Sequence, residues 1–148
     1  GILVHRKFPK GQHFPPDKCT QNCILFILQG ELLVNSEEYP GTTLREGQFI
    51  LQSIGSKLEL LALTDVNYVV YWFNEPPLIC EQRYHEILQQ SEASANFIHH
   101  WFMTQRITNF MKDICDYLDE QMPCGAFIDL KCQELMYLII CYYPDTPS

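Results

Sequence analysis

Basic charge is scarce in this sequence. Lysine and arginine together number 10 in 148 residues, scattered rather than clustered, against 18 acidic residues. The formal net charge of −8 argues against this segment gripping a phosphate backbone, which needs grouped cations. Long apolar runs are missing too. The longest, "LMYLIICYY", falls far short of the roughly 20 residues that span a bilayer as a helix. No secretion leader is expected, because "GILVHRKFPKGQH" offers only a three-residue apolar run before its first charges. The nucleotide and hydrolase signatures G-x-G-x-x-G, G-x-S-x-G, H-E-x-x-H and the Walker lysine are all absent. No internal repeat or low-complexity segment is seen. The 7 cysteines are odd in number, so at least one has no intrachain partner. A reducing, cytoplasmic setting is expected, with cysteines serving as small core residues.

What is present is globular: 47% hydrophobic and 19% charged residues, enough in one domain length for a real core. The first half reads as strands. "ILFIL" (24–28), "ELLVN" (31–35), "QFILQS" (48–53), "LELLAL" (58–63) and "NYVVYWF" (67–73) are separated by turn residues, including Gly30, Pro40-Gly41, Gly47 and Gly55. Short strands at this spacing predict an antiparallel sandwich or barrel. Both faces of "NYVVYWF" are apolar: Tyr68, Val70 and Trp72 on one side, Val69, Tyr71 and Phe73 on the other. A strand buried on one side would alternate cleanly, so something must cover the barrel outside as well as fill it inside.

The second half supplies that cover. Pro76 and Pro77 end the strands. Helices are predicted over Leu78–Gln90, from Phe97 to about Gln121, and over Ala126–Tyr143, with Pro144 closing the last. In the middle helix Met103, Ile107, Phe110, Ile114 and Leu118 form an apolar stripe, widened by Met111, Cys115 and Met122. That breadth predicts a homodimer interface on the stripe; the alternative is that the broad face packs on its partner helix. The fold class is mainly β plus α: a β-barrel over residues 1–77, then a helical region over 78–148 with a hairpin.

Candidate metal ligands are thin. Cys19-x3-Cys23 has no second pair at zinc-finger spacing. His99 and His100 are adjacent, about 100° apart on a helix, and cannot easily share an ion. Neither a metal nor a cofactor is expected. Aromatics pointing into a small barrel can line a ligand cavity instead, and Phe26, Phe49, Leu51 and Tyr71 are the candidate pocket residues.

The glycine spacing resembles the cupin motifs G-x5-H-x-H-x3or4-E-x6-G and G-x5-P-x-G-x2-H-x3-N. Gly30 stands at the end of the first, while Gly47 and Gly55 stand at the two glycines of the second. The ligand positions depart: Cys23 stands for the glutamate, Asp17 and Cys19 (or Pro16 and Lys18) for the histidine pair, Leu58 for the second-motif histidine. An alkyl side chain cannot ligate a metal. With "EYPGTTLREGQFIL" and the ending "DLKCQELMYLIICYYP", nearly the whole chain resembles the cupin-like (jelly-roll) sensor and dimerisation half of AraC-family transcriptional regulators, of the type common in gut Bacteroidetes. That resemblance implies a non-enzymatic regulatory domain and a homodimer. It also implies an unidentified small-molecule effector, and DNA binding only through a helix-turn-helix domain expected beyond Ser148. The chain begins at Gly1 rather than methionine, and is expected to be part of a longer protein. A small cupin enzyme, such as an isomerase or dioxygenase, is the rival reading. An autonomous binding module is the third.

Overall fold

A computed structural model describes residues 1–74, 101–120 and 124–142. Eight strands build the barrel: β1 (Ile2–Phe8), β2 (His13–Lys18), β3 (Asn22–Gln29), β4 (Glu31–Asn35), β5 (Thr42–Arg45), β6 (Gln48–Gln52), β7 (Lys57–Ala62) and β8 (Val66–Phe73). A short ninth, β9 (Trp101–Phe102), joins the edge of the larger sheet. The sheets run β1-β8-β3-β6-β9 and β2-β7-β4-β5, antiparallel throughout. This is the order made by rolling up one long hairpin, so the fold is a cupin-like jelly roll, followed among the described residues by two helices.

Three of the eight barrel strands were not anticipated. β1 carries His5, Arg6 and Lys7 between its apolar residues, which hides its pairing with β8. β2 contains Pro15 and Pro16, but it is a sheet edge, and its register shifts between Phe14 and Asp17. Prolines are tolerated there because no second ladder needs their missing N–H groups. β5 has only four residues.

Gly30 turns the chain from the larger sheet into the smaller. Its φ is +89°, and an added Cβ would fall 2.1 Å from the Asp65 carbonyl oxygen. Only glycine fits that corner without displacing backbone.

The two-faced pattern of β8 is explained by two cores. Leu25, Ile27, Leu32, Val34, Leu44, Ile50, Tyr68 and Val70 fill the barrel. Phe26, Phe49, Leu51, Val69, Tyr71 and Phe73 point the other way, under the helices.

Helix α1 (Gln105–Leu118) starts later than the expected Phe97. Trp101 is buried and Phe102 exposed, the alternation of a strand, and they pair with Phe49 and Gln48. The Met103 N–H then bonds the Gly47 carbonyl at 2.7 Å. Thr104 caps the helix by accepting from the Ile107 N–H at 3.2 Å. Helix α2 (Gly125–Tyr142) returns across α1. The turn is pinned where the Cys124 N–H donates to the Tyr117 hydroxyl at 2.7 Å, and the Tyr117 and Phe127 rings lie 4.3 Å apart. The helix expected over Leu78–Gln90 and the His99-His100 pair lie outside the described residues.

Candidate functional site

Between α1 and the larger sheet lies a cleft of about 700 Å³. β1 contributes His5 and Lys7, β8 contributes Asn67, and the β5–β6 turn contributes Glu46 and Gly47. Leu28, Met103 and Met111 give it an apolar floor. Lys112, Cys115, Asp116 and Asp119 come from α1 and its end. The cleft is therefore apolar below and ringed by both signs of charge, the pattern of a site that orients a small molecule.

His5 is the best-held polar group there. Its Nδ1 lies 2.8 Å from Asp119 Oδ1, and its Nε2 lies against Asn67 Oδ1. The imidazole is thus fixed from both sides, by the end of α1 and by β8. Cys115 is a poor nucleophile: burial first, then the Asp119 and Asp116 carboxylates, push its thiol up to about 11.

A second polar group closes one end of the barrel. Gln52 is fully buried. Its Oε1 accepts from the Ser36 hydroxyl at 3.2 Å, and its Nε2 donates to Ser56 Oγ at 2.6 Å and to Glu38 Oε1 at 3.5 Å. The Ser53 N–H also reaches that carboxylate, at 3.2 Å. Cys19 and Cys23 lie beside this network: the Cys19 N–H bonds the Ser56 carbonyl at 2.8 Å, and Cys23 pairs with Gln52. The Cys23 thiol, as donor, lowers Cys19 to about 7; burial opposes this, and the Ser56 hydroxyl assists it. That hydroxyl has one proton and also lies 2.6 Å from the Ser53 carbonyl, so Cys23 is the firmer donor. Cys23 itself is pushed up by the same contact and by burial. Of the cupin ligand positions, Asp17 pairs with Leu58, while the β6 partner of Cys23 is Gln52, which is not one of them. Among the described residues, however, no three His, Cys, Asp or Glu side chains group to hold a metal.

The candidate pocket residues are placed otherwise than expected. Phe26, Phe49, Leu51 and Tyr71 come together, but on the outward face beneath the helices, not in the barrel interior. The Phe26 and Phe49 rings lie tilted at 5.2 Å, and Phe49 and Trp101 stack at 5.7 Å. Strand parity could not be read because both faces are apolar. The dimer stripe is likewise spent inside one protomer. Ile107, Phe110 and Ile114 are buried in the same core, with Met103 and Leu118 packed at its margin. The apolar side chains left in water on the hairpin belong instead to α2: Phe127, Leu130 at 63% exposure, and Tyr137. The cleft residues escaped sequence reading because five separate segments supply them. The sequence did flag the Cys19-x3-Cys23 spacing.

No protein-family model and no curated protein matches this chain. Some solved structures are similar to part of this chain. A cupin family protein with a double-stranded β-helix fold from Methanocaldococcus jannaschii is 19% identical, over 47% of this chain and 67% of its own, at a TM-score of 0.42. A cupin from Shewanella frigidimarina is 18% identical, over 47% of this chain and 64% of its own, at 0.41. KdgF from a Halomonas species is 19% identical, over 47% and 66%, at 0.43. The chain therefore spans about two thirds of the length of these proteins. The fold assignment rests on sheet order and register rather than on them.

Proposed function

We propose that this chain is the regulatory half of an AraC-type transcriptional regulator. In this reading it is a cytoplasmic, non-enzymatic module, and a helix-turn-helix domain outside these residues reads DNA. A small-molecule effector occupies the cleft, and the hairpin pairs two copies. The observation that carries the reading is a shared helix. α1 walls the cleft with Thr108, Lys112 and Asp116. Its other face, through Ile107, Phe110 and Ile114, lies in one core with Leu135, Met136 and Ile139 of α2. α2 in turn presents Phe127, Leu130 and Tyr137 to solvent. An effector that binds unequally to two positions of α1 thereby biases the surface on which copies pair. The cleft suits a small metabolite with an apolar body and charged or hydroxylated ends.

One observation favours a second reading, a small cupin-fold enzyme: His5 is oriented by Asp119 in an open cleft, an arrangement fit for general acid–base work. Native mass spectrometry of the chain with a bacterial metabolite extract separates the two. Regulation predicts a dimer mass and a retained small molecule. Lys112→Glu should remove the ligand, and Leu130→Asp should give monomers that still bind it. Turnover of an extract component, lost in His5→Ala, supports the enzyme. A monomer that retains nothing rejects the regulatory reading.

A further inference from the structure

The charges around the cleft stand in an order along α1, and that order narrows the chemistry of what it can hold. We propose that the effector is a short apolar peptide of three or four residues, its ammonium end at Glu46 and its carboxylate end at Lys7 and Lys112. The proposal rests on the effector reading of the cleft and goes one step past it, to the class of molecule.

The open charges come first. Glu46, Lys7 and Lys112 all line the cleft. Among the described residues, none of the three makes an ion pair. His5 and Asp119, by contrast, are joined to each other. A ring of both signs favours a ligand that carries both. A purely anionic molecule would meet Glu46 and Asp116, and a purely cationic one would meet Lys7 and Lys112.

The spacing sets the length. Glu46 precedes Gly47, whose carbonyl accepts from the Met103 N–H just before the Thr104 cap. Glu46 therefore marks the start of α1. Lys112 lies two turns beyond that cap, about 12 Å along the axis at roughly 1.5 Å per residue. An extended chain covers about 12 Å with three or four residues. A free amino acid carries both charges on one carbon and cannot reach from one end to the other. Asp116 follows one turn past Lys112 and also lines the cleft. It repels a carboxylate that reaches further along the helix, so the anionic end is held at the two lysines.

The middle of the cleft suits a peptide backbone and apolar side chains. Leu28, Met103 and Met111 form the floor, and methionine adapts to apolar groups of different shape. Thr108 lies midway between the cap and Lys112, where its hydroxyl can accept from a peptide N–H. Asn67 meets His5 through its Oδ1, which leaves its amide nitrogen to donate to a peptide carbonyl. The volume of about 700 Å³ falls within the roughly 300–1,000 Å³ of sites that take molecules of this size.

The test is calorimetric titration of the purified chain with trileucine and trimethionine, each also N-acetylated and also as the C-terminal amide. The expected result is saturable binding of at least one free tripeptide. Blocking either end should weaken it at least about threefold, the scale of a solvent-exposed ion pair. Free leucine and methionine should bind at least about tenfold more weakly, for want of apolar contact. Glu46→Gln should bind the free and acetylated peptides alike and still discriminate against the amide. Lys7→Gln combined with Lys112→Gln should do the reverse. That crossed pattern would not arise from a general loss of structure. Binding that ignores both blocking groups, or free leucine binding as tightly as trileucine, overturns the proposal. So does failure of both tripeptides to bind. Native mass spectrometry with the metabolite extract then separates the two readings. A retained component that is lost in Lys112→Glu keeps the effector and rejects the peptide; a chain that retains nothing rejects both.

Discussion

The two sheets of this barrel have the same architecture and opposite exteriors. In the larger, β3 and β6 are buried along nearly their whole length on both faces. In the smaller, β4 and β5 alternate, with Leu32, Val34 and Leu44 inside and Asn35 and Arg45 in water. The difference shows where a jelly roll can be extended. The hairpin docks where the apolar run is continuous, and the alternating sheet stays a surface.

The sharpest way to break that contrast is a charge beneath the hairpin. Ile114 is 1% exposed, so Ile114→Asp should unfold the protomer rather than divide a dimer. The expected loss exceeds about 4 kcal/mol; a folded monomer by circular dichroism would contradict this. Next is Phe26→Ala, which empties a fully buried site between sheet and helices. It should cost about 3–5 kcal/mol in urea unfolding. Gly30→Ala strikes the corner joining the two sheets. The forced φ and the contact with the Asp65 carbonyl should cost about 1–3 kcal/mol.

A smaller effect separates the barrel end from the rest by pH. Cys19 is lowered from 9.0 to about 7 in the folded state, so between those values the unfolded chain binds more protons. Stability should therefore rise with pH from about 7 to 9, and be lost as pH falls through 7. Cys19→Ser should flatten that slope in urea midpoints. Smallest of all is Leu33→Ala, on the half-exposed outer face of the smaller sheet, expected to cost under about 1 kcal/mol. A cost matching that of Phe26→Ala would erase the distinction between the sheets.

Five of the strands and the hairpin were legible because their apolar runs are interrupted by turn residues at regular intervals. The need for an outer cover followed from β8 alone, where Val69 and Val70 are both buried. The orientation of that cover was not legible. Tyr68 and Tyr71 differ by a face, and nothing in a doubly apolar strand says which face is the inside. β9 was hidden because Trp101 and Phe102 continue the apolar composition of the helix that follows, and the Thr104 cap between them is a single residue. The cleft was invisible for a different reason: its charges are ordinary surface residues until folding sets His5 beside Asp119. Cys19 and Cys23 are close in sequence, but their surroundings depend on Ser56 and Gln52 arriving from the next hairpin.

The pairing of Phe49 with Trp101 also sets a timetable for synthesis. The ribosome must add about 50 residues after β6 before its edge partner exists, a wait of roughly 3–10 s at 5–20 residues per second. Until then the nascent barrel lacks both the strand that pairs with Phe49 and the hairpin that shares a core with Phe26, Phe49 and Tyr71.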